Sequence, residues 1–298
     1  MKEFIFKNKK WFGYIIYCII LTVVFLYYRF PSESLRDYIQ AKSNNLNPFF
    51  SLSVGQIKPW PPFWLKLSDT EFSLKNKPSV KLFSADSLFI KPQALALFRG
   101  DSKYCFECLA YGGDIEGCID FKKDNIKAPF TAEIEAKDIK IGDHKNLKDL
   151  IGRHVDGILN GTIHYGGERK NLINGSGKAN LELLDGEIEL LLPILNLESI
   201  KYNEIKVDMV LEKSRVNLTR FELKGPLLKS MLSGTISLKE IFGKSVLDLK
   251  GTIEPHAELF KNADDASGAV MLFKQGLKKG TLGFIVKGTI DKPRMRFT

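Results

Sequence analysis

The sequence predicts a mainly β protein: an N-terminal transmembrane helix, then an elongated, curved antiparallel sheet with a few short helices. Three observations carry this prediction. Residues 11–28 form an uncharged run, WFGYIIYCIILTVVFLYY. From Leu65 onward apolar and polar residues alternate with period two, the pattern of half-buried strands. The tripeptide Gly-Thr-Ile recurs at Gly161, Gly234, Gly251 and Gly288 and uses four of the ten threonines, which points to one strand type written repeatedly.

The uncharged run comes first. As a helix its eighteen residues rise about 27 Å, close to the hydrocarbon thickness of a bilayer. Aromatic residues crowd both ends, where rings favour the headgroup zone. Lys7, Lys9 and Lys10 precede it and only Arg29 follows closely, so the N-terminus is expected in the cytoplasm and the bulk across the membrane. The run ends in Leu-Tyr-Tyr-Arg-Phe, without the small residues a signal peptidase needs, so an uncleaved anchor is expected.

After Pro31, Leu35, Tyr38, Ile39 and Lys42 fall at helical spacing behind capping serines, which predicts a short amphipathic helix beside the membrane. Lys58-Pro59-Trp60-Pro61-Pro62-Phe63-Trp64 excludes both a helix and a central strand. Trp60, Phe63 and Trp64 either dip into the membrane interface or plug one end of a core. Further on, the spacing predicts short helices over 143–153 and 263–279 within the β region.

Three cysteines outside the anchor lie in YCFECLAYGGDIEGC. Gly112-Gly113 reads as a hairpin turn between 104–111 and 114–121, which brings Cys118 across from Cys105 or Cys108. A Cys-x-x-Cys can hold zinc, but no histidine is near to complete a site. In an oxidising compartment a disulfide among Cys105, Cys108 and Cys118 is expected, with one thiol left over.

Each Gly-Thr-Ile copy sits in the pattern aliphatic-x-Gly-Thr-Ile, as in Leu249-Lys250-Gly251-Thr252-Ile253. Strand parity places the aliphatic residue, glycine and isoleucine on one face, and x and threonine on the other. A glycine on the apolar face either leaves a furrow or relieves crowding in an ordinary core. Spacings of 73, 17 and 37 residues exclude a fixed-period solenoid.

Reactive chemistry finds no foothold in the residues. The four histidines form no His-Glu-x-x-His. Gly175-Ser176-Gly177-Lys178 lacks the first glycine of a phosphate loop, with Leu172 in its place, and Ala179 replaces Ser or Thr. No Gly-x-Ser-x-Gly is present. Of the net charge of +9, +4 lies before residue 30, and the remaining +5 is spread over the rest with signs interleaved, so no basic face for nucleic acid is expected. Neither an enzyme nor a cofactor is expected.

Val286-Lys287-Gly288-Thr289-Ile290-Asp291-Lys292-Pro293, and Phe221–Gly225 followed by Leu232–Ile236, resemble AsmA- and TamB-like periplasmic proteins. The anchor with Phe30-Pro31, the Pro-Trp-Pro-Pro segment and Gly112–Gly117 resemble the larger form of type II secretion system protein N, the GspN family. The resemblance implies a cytoplasmic tail over 1–10, an inner-membrane anchor over 11–29, a juxtamembrane helix and linker over 30–50, and a periplasmic β domain over 51–298. It implies a non-enzymatic component associated with type II secretion proteins. For the wider group it implies an apolar groove that carries phospholipid acyl chains, and it supplies no catalytic residues.

Overall fold

The computed structural model describes residues 9–46, 50–61, 64–75, 77–92, 102–121, 129–144, 146–168, 171–194, 197–261, 276–277 and 280–298. Helix α1 spans Lys9–Tyr28 and helix α2 spans Ser32–Leu46. The expected membrane-spanning anchor over 11–29 is not shown. Among the described residues no helix is long and apolar enough to cross a membrane, and the side chains at 19, 23 and 26 of α1 lie outside them.

Fourteen strands follow in one antiparallel sheet whose order in space is their order in sequence. They are β1 (Phe50–Trp60), β2 (Trp64–Leu74), β3 (Lys77–Pro92), β4 (Ser102–Ala110), β5 (Gly113–Phe121), β6 (Pro129–Lys140) and β7 (Ile158–Glu168). Then come β8 (Asn171–Ile194), β9 (Leu197–Glu212), β10 (Arg215–Lys224), β11 (Leu228–Ser237), β12 (Val246–Pro255), β13 (Leu282–Thr289) and β14 (Pro293–Phe297). A meander of this kind needs only local connections. Fourteen strands exceed the ~10 that an open twisted sheet reaches before it curls, and register shifts in six of the strand pairs add local bends.

Small helices interrupt the meander. A 3₁₀ turn over Ile141–Asp143 and helix α3, Leu147–Ile151, stand where one helix over 143–153 is expected. Gly152 ends α3 in the left-handed region at φ 75°. Helix α4, Ala257–Lys261, follows β12. The helix expected over 263–279 falls almost entirely outside the described residues.

One cross-strand row defines the apolar face. It starts at Ile57 and passes through Leu67, Leu88, Cys108, Ile115, Ala136, Gly161 and Leu181 by direct register. It continues through Val207, Phe221, Leu232, Gly251 and Phe284 to Phe297. Every strand contributes an apolar residue or a glycine, because directly paired residues share a face. The opposite face carries charge pairs, such as Lys137 with Glu116 on the next strand and with Glu135 on its own, both at 3.0 Å.

Helix α2 packs on the first strands. Phe30, Leu35 and Ile39 cover the buried cluster of Val54, Ile57 and Leu67. Gln40 Nε2 donates to the Val54 carbonyl, and Asn44 Oδ1 accepts from the Leu52 amide. At the far side β14 is exposed along its whole length and carries Pro293, Arg294 and Arg296, residues that discourage pairing at a sheet edge.

Candidate functional site

The face marked by the Ile57–Phe297 row is not equally buried along the sheet. Across β9–β13 it is closed. Ile200, Tyr202, Ile205, Leu223, Leu228, Ile253 and Phe284 form one buried cluster, and Leu218, Leu247 and Leu249 form another. Across β1–β3 it is closed by α2. Across β4–β8 the residues buried on this face are small or few: Cys108, Ala110, Ala132 and Ile139. Phe106, Ile115, Ile134, Leu159 and Leu181 are only half-buried there, and Ile163 is 39 % exposed. Among the described residues, no buried cluster includes a side chain of β6 or β7.

An aromatic row borders this open stretch at one end of its strands. Tyr104 and Phe121 have ring centroids 6.2 Å apart, Phe121 and Phe130 6.0 Å, and Phe130 and Tyr165 5.5 Å. These distances fall in the favourable aromatic-pair range, so the rings support one another across β4–β7. The Tyr165 hydroxyl donates to the Leu172 carbonyl at 2.7 Å, which fixes the end of the row.

The glycines of the repeated tripeptide divide into two groups. A Cβ at Gly251 would lie 2.7 Å from Cζ of Phe284, and one at Gly161 would lie 2.7 Å from Cδ2 of Leu181. The paired residue on the next strand therefore folds over the glycine and fills its space. Gly234 and Gly288 instead adopt φ of 142° and 103°, which L side chains rarely reach. The furrow that the repeats suggest is thus filled by protein at Gly161 and Gly251.

The cysteines resolve into one disulfide and one thiol. Cys105 and Cys118 are bonded across β4 and β5, with Cα atoms 4.0 Å apart, on the polar face. Cys108 is free and buried on the apolar face, and burial, with Asp86 nearby, pushes its thiol up to about 11. Trp60 is exposed at the β1–β2 hairpin, Trp64 is half-buried beside it, and Phe63 lies outside the described residues.

The four histidines do not converge. Nε2 of His144 meets the Leu82 carbonyl at 2.8 Å, and the ring stacks near Tyr111. His164 Nδ1 lies 3.7 Å from Glu133, His154 donates its backbone amide to Glu189, and His256 Nδ1 meets the Pro226 carbonyl. Among the described residues no group of three His, Cys, Asp or Glu could hold a metal. On the polar face, hydrogen bonds from Lys206 and Lys224 hold the Glu204 carboxyl down at about 2. Arg220 likewise holds Glu222 below the usual carboxylate range. These are charge ladders that dress a solvated face. A shallow groove there, ≈ 600 Å³, runs beside Arg220, Met231, Lys250 and Ile285.

Together these features define a class: a single-sheet β protein with one charged face and one apolar face that, among the described residues, is uncovered in its middle. Comparison with known protein families, with characterised proteins and with solved structures gives no match.

Proposed function

We propose that this chain is a non-enzymatic envelope protein, tethered to the bacterial inner membrane by α1, that holds phospholipid acyl chains on the apolar face of β4–β8. The change in burial along that face carries the reading. Strands β4 to β8 span about 19 Å at the usual strand spacing, somewhat more than the ~15 Å of one leaflet of bilayer hydrocarbon. An apolar strip of that size with a polar reverse side fits a hydrocarbon chain better than a soluble metabolite.

Helix α1 supports the tether. Its 20 residues rise about 30 Å, and exposed apolar or aromatic side chains run from Trp11 to Tyr28. A helix that is apolar all round needs a membrane or a protein interior. The lysines at 7, 9 and 10 support a cytoplasmic N-terminus and a periplasmic sheet.

The test is native mass spectrometry of the full chain after mild extraction. Phospholipid adducts are expected, and they should be lost in an Ile134→Glu/Ile163→Glu variant that keeps its β content. Absence of bound phospholipid across several detergents, or adducts unchanged in the variant, would overturn the reading.

Association with type II secretion is a second reading. It is supported by the GspN-like segments of the N-terminal half and by the charged sheet face, which offers a surface to protein partners. Co-purification of the tagged chain with secretion-platform proteins is expected. Normal exoprotein secretion in a deletion strain would count against it.

A further inference from the structure

The β1–β2 hairpin tip is built unlike the rest of the polar face. Elsewhere opposite charges meet across strands, as Lys206 does with Glu182, and like charges in register are joined by an opposite one, as Glu116 and Glu135 are by Lys137 and Lys224 and Lys229 are by Glu222. At the tip Lys58 pairs in register with Lys66, and among the described residues neither has a carboxylate within ion-pair distance. Like charges placed opposite one another are unfavourable unless an anion joins them. Around them stand aromatic rings. Lys66 Nζ lies 5.4 Å from the ring centres of both Trp60 and Phe89, and Lys91 Nζ lies 4.1 Å from that of Trp64. Lys91 also pairs with Glu107. Trp60 is 44 % exposed, although a tryptophan on a polar face gains nothing from water.

The position of α2, on the other face of the first strands, places this tip at the same end of the sheet as the end of α1. Gln40 bonds Val54, and Asn44, four residues on, bonds Leu52. Helix α2 therefore runs antiparallel to β1. At about 1.5 Å per helical residue and about 3.3 Å per strand residue, the eight steps back from Gln40 to Ser32 match nearly four steps forward from Val54. Ser32 thus lies level with Lys58, and Arg29 and Phe30 lie level with Trp60. The outer end of α1, with Tyr28 exposed at its last position, reaches the same level.

We propose that the β1–β2 hairpin tip is a second membrane contact, in which Trp60 and Trp64 lie in the headgroup layer and Lys58 and Lys66 share the phosphate of an anionic phospholipid. This rests on the reading of α1 as the tether. Together the helix and the tip hold the first strands at two points and fix how the sheet stands on the bilayer. Tryptophan belongs in that layer, and lysine beside it gains from anionic lipid.

The chain has three tryptophans, so two variants separate the two membrane contacts. The full chain is reconstituted into vesicles of brominated phosphatidylcholine, with and without phosphatidylglycerol. Trp11→Phe leaves only the tip to fluoresce, and Trp60→Phe/Trp64→Phe leaves only Trp11. Quenching of the tip by about twofold is expected with phosphatidylglycerol present, and it should weaken without it. Lys58→Glu/Lys66→Glu should abolish the dependence on phosphatidylglycerol, and the milder Lys58→Gln/Lys66→Gln should reduce it. Quenching of Trp11 with an unquenched tip overturns the second contact and leaves the tether standing. No quenching at either place overturns both. Tip quenching that ignores phosphatidylglycerol and both lysine variants overturns the phosphate site.

Discussion

At Gly251 any side chain meets two obstacles at once. A Cβ would lie 2.4 Å from the Met231 carbonyl oxygen and 2.7 Å from the Phe284 ring, and the carbonyl belongs to a paired strand that cannot step aside. Gly251→Ala is therefore expected to lower stability by about 1–3 kcal/mol, as overpacking usually does. At Gly166 the nearest atoms are 3.8 Å away, so Gly166→Ala should stay within about 0.5 kcal/mol. Urea unfolding of both variants checks the contrast, and equal losses would sink the account. The sequence showed that each Gly-Thr-Ile glycine lies on the apolar face. It did not separate Gly251, hidden under a neighbour's ring, from Gly234, held at φ 142°, because both reasons write the same letter. Cys108 is a second case. Burial raises its thiol to about 11, so the reactive thiolate is scarce at neutral pH. In the folded chain Cys108 should resist iodoacetamide at pH 8 and react once urea unfolds it. Rapid modification in the folded state, read by peptide mass spectrometry, would contradict its burial.

Hairpins set the register at the scale of elements, and the β4–β5 hairpin shows how. Tyr111 and Gly112 have φ of 51° and 72°, the two positive values of a type I′ turn. The turn is centred one residue earlier than Gly112-Gly113 suggests, because the Tyr111 hydroxyl accepts the Ser84 amide and its ring packs on Phe83. That register puts Cys105 opposite Cys118 and Cys108 opposite Ile115. Closing a loop of sequence separation 13 stabilises by about 3 kcal/mol, so Cys105→Ser/Cys118→Ser should lose roughly that much by denaturant unfolding. The same scale explains a change of parity inside one strand. Leu65 and Leu67 share one parity and Phe72 and Leu74 the other, which reads as two segments. Asp69, at φ 50°, reverses the face inside the single strand β2. The charge ladder on β8–β10 carries a pH signature. Glu204 titrates at about 2 in the folded chain, below the ordinary carboxylate value near 4.3. Its contribution is present above that ordinary value and is lost as pH falls through it toward 2. The wild type should lose more melting temperature over that interval than Glu204→Gln, and parallel curves would show that the lysines do not matter.

The whole molecule exposes 20277 Å², whereas a globular chain of 33.7 kDa exposes about 12,700 Å². A single layer of strands and the exposed helix α1 contribute to the difference, since each strand packs chiefly against its sequence neighbours. The β class, the antiparallel pairing and the amphipathic faces were legible in the sequence, because alternation such as Ile205, Val207 and Met209 reports a half-buried strand directly. Which part of the apolar face stays uncovered was not legible. Ile163 and Ile253 stand in the same tripeptide with the same parity, yet one is 39 % exposed and the other 7 %. Their difference lies in the strands around them, a long-range property that no local pattern carries.

That unevenness has a consequence for cooperativity. Buried clusters tie β1–β5 together at one side and β8–β13 at the other, and among the described residues none bridges β6 and β7. In a structure where contacts run chiefly between neighbours, stability is close to a sum of local terms, and weak units open first. Hydrogen exchange should therefore be faster in β6 and β7 than in β9–β13. Leu249→Ala, which empties a site 7 % exposed, should cost about 2–5 kcal/mol. Its effect should appear as lost protection across β9–β13 while β1–β3 keeps its rates. Uniform loss across all fourteen strands would show that the sheet unfolds as one unit and would remove the weak middle. The weakly tied strands lie in the middle of the uncovered apolar strip, so acyl chains bound there should slow exchange in β6 and β7 more than anywhere else. A phospholipid that protects the ends of the sheet and leaves this middle unchanged would place the binding surface elsewhere.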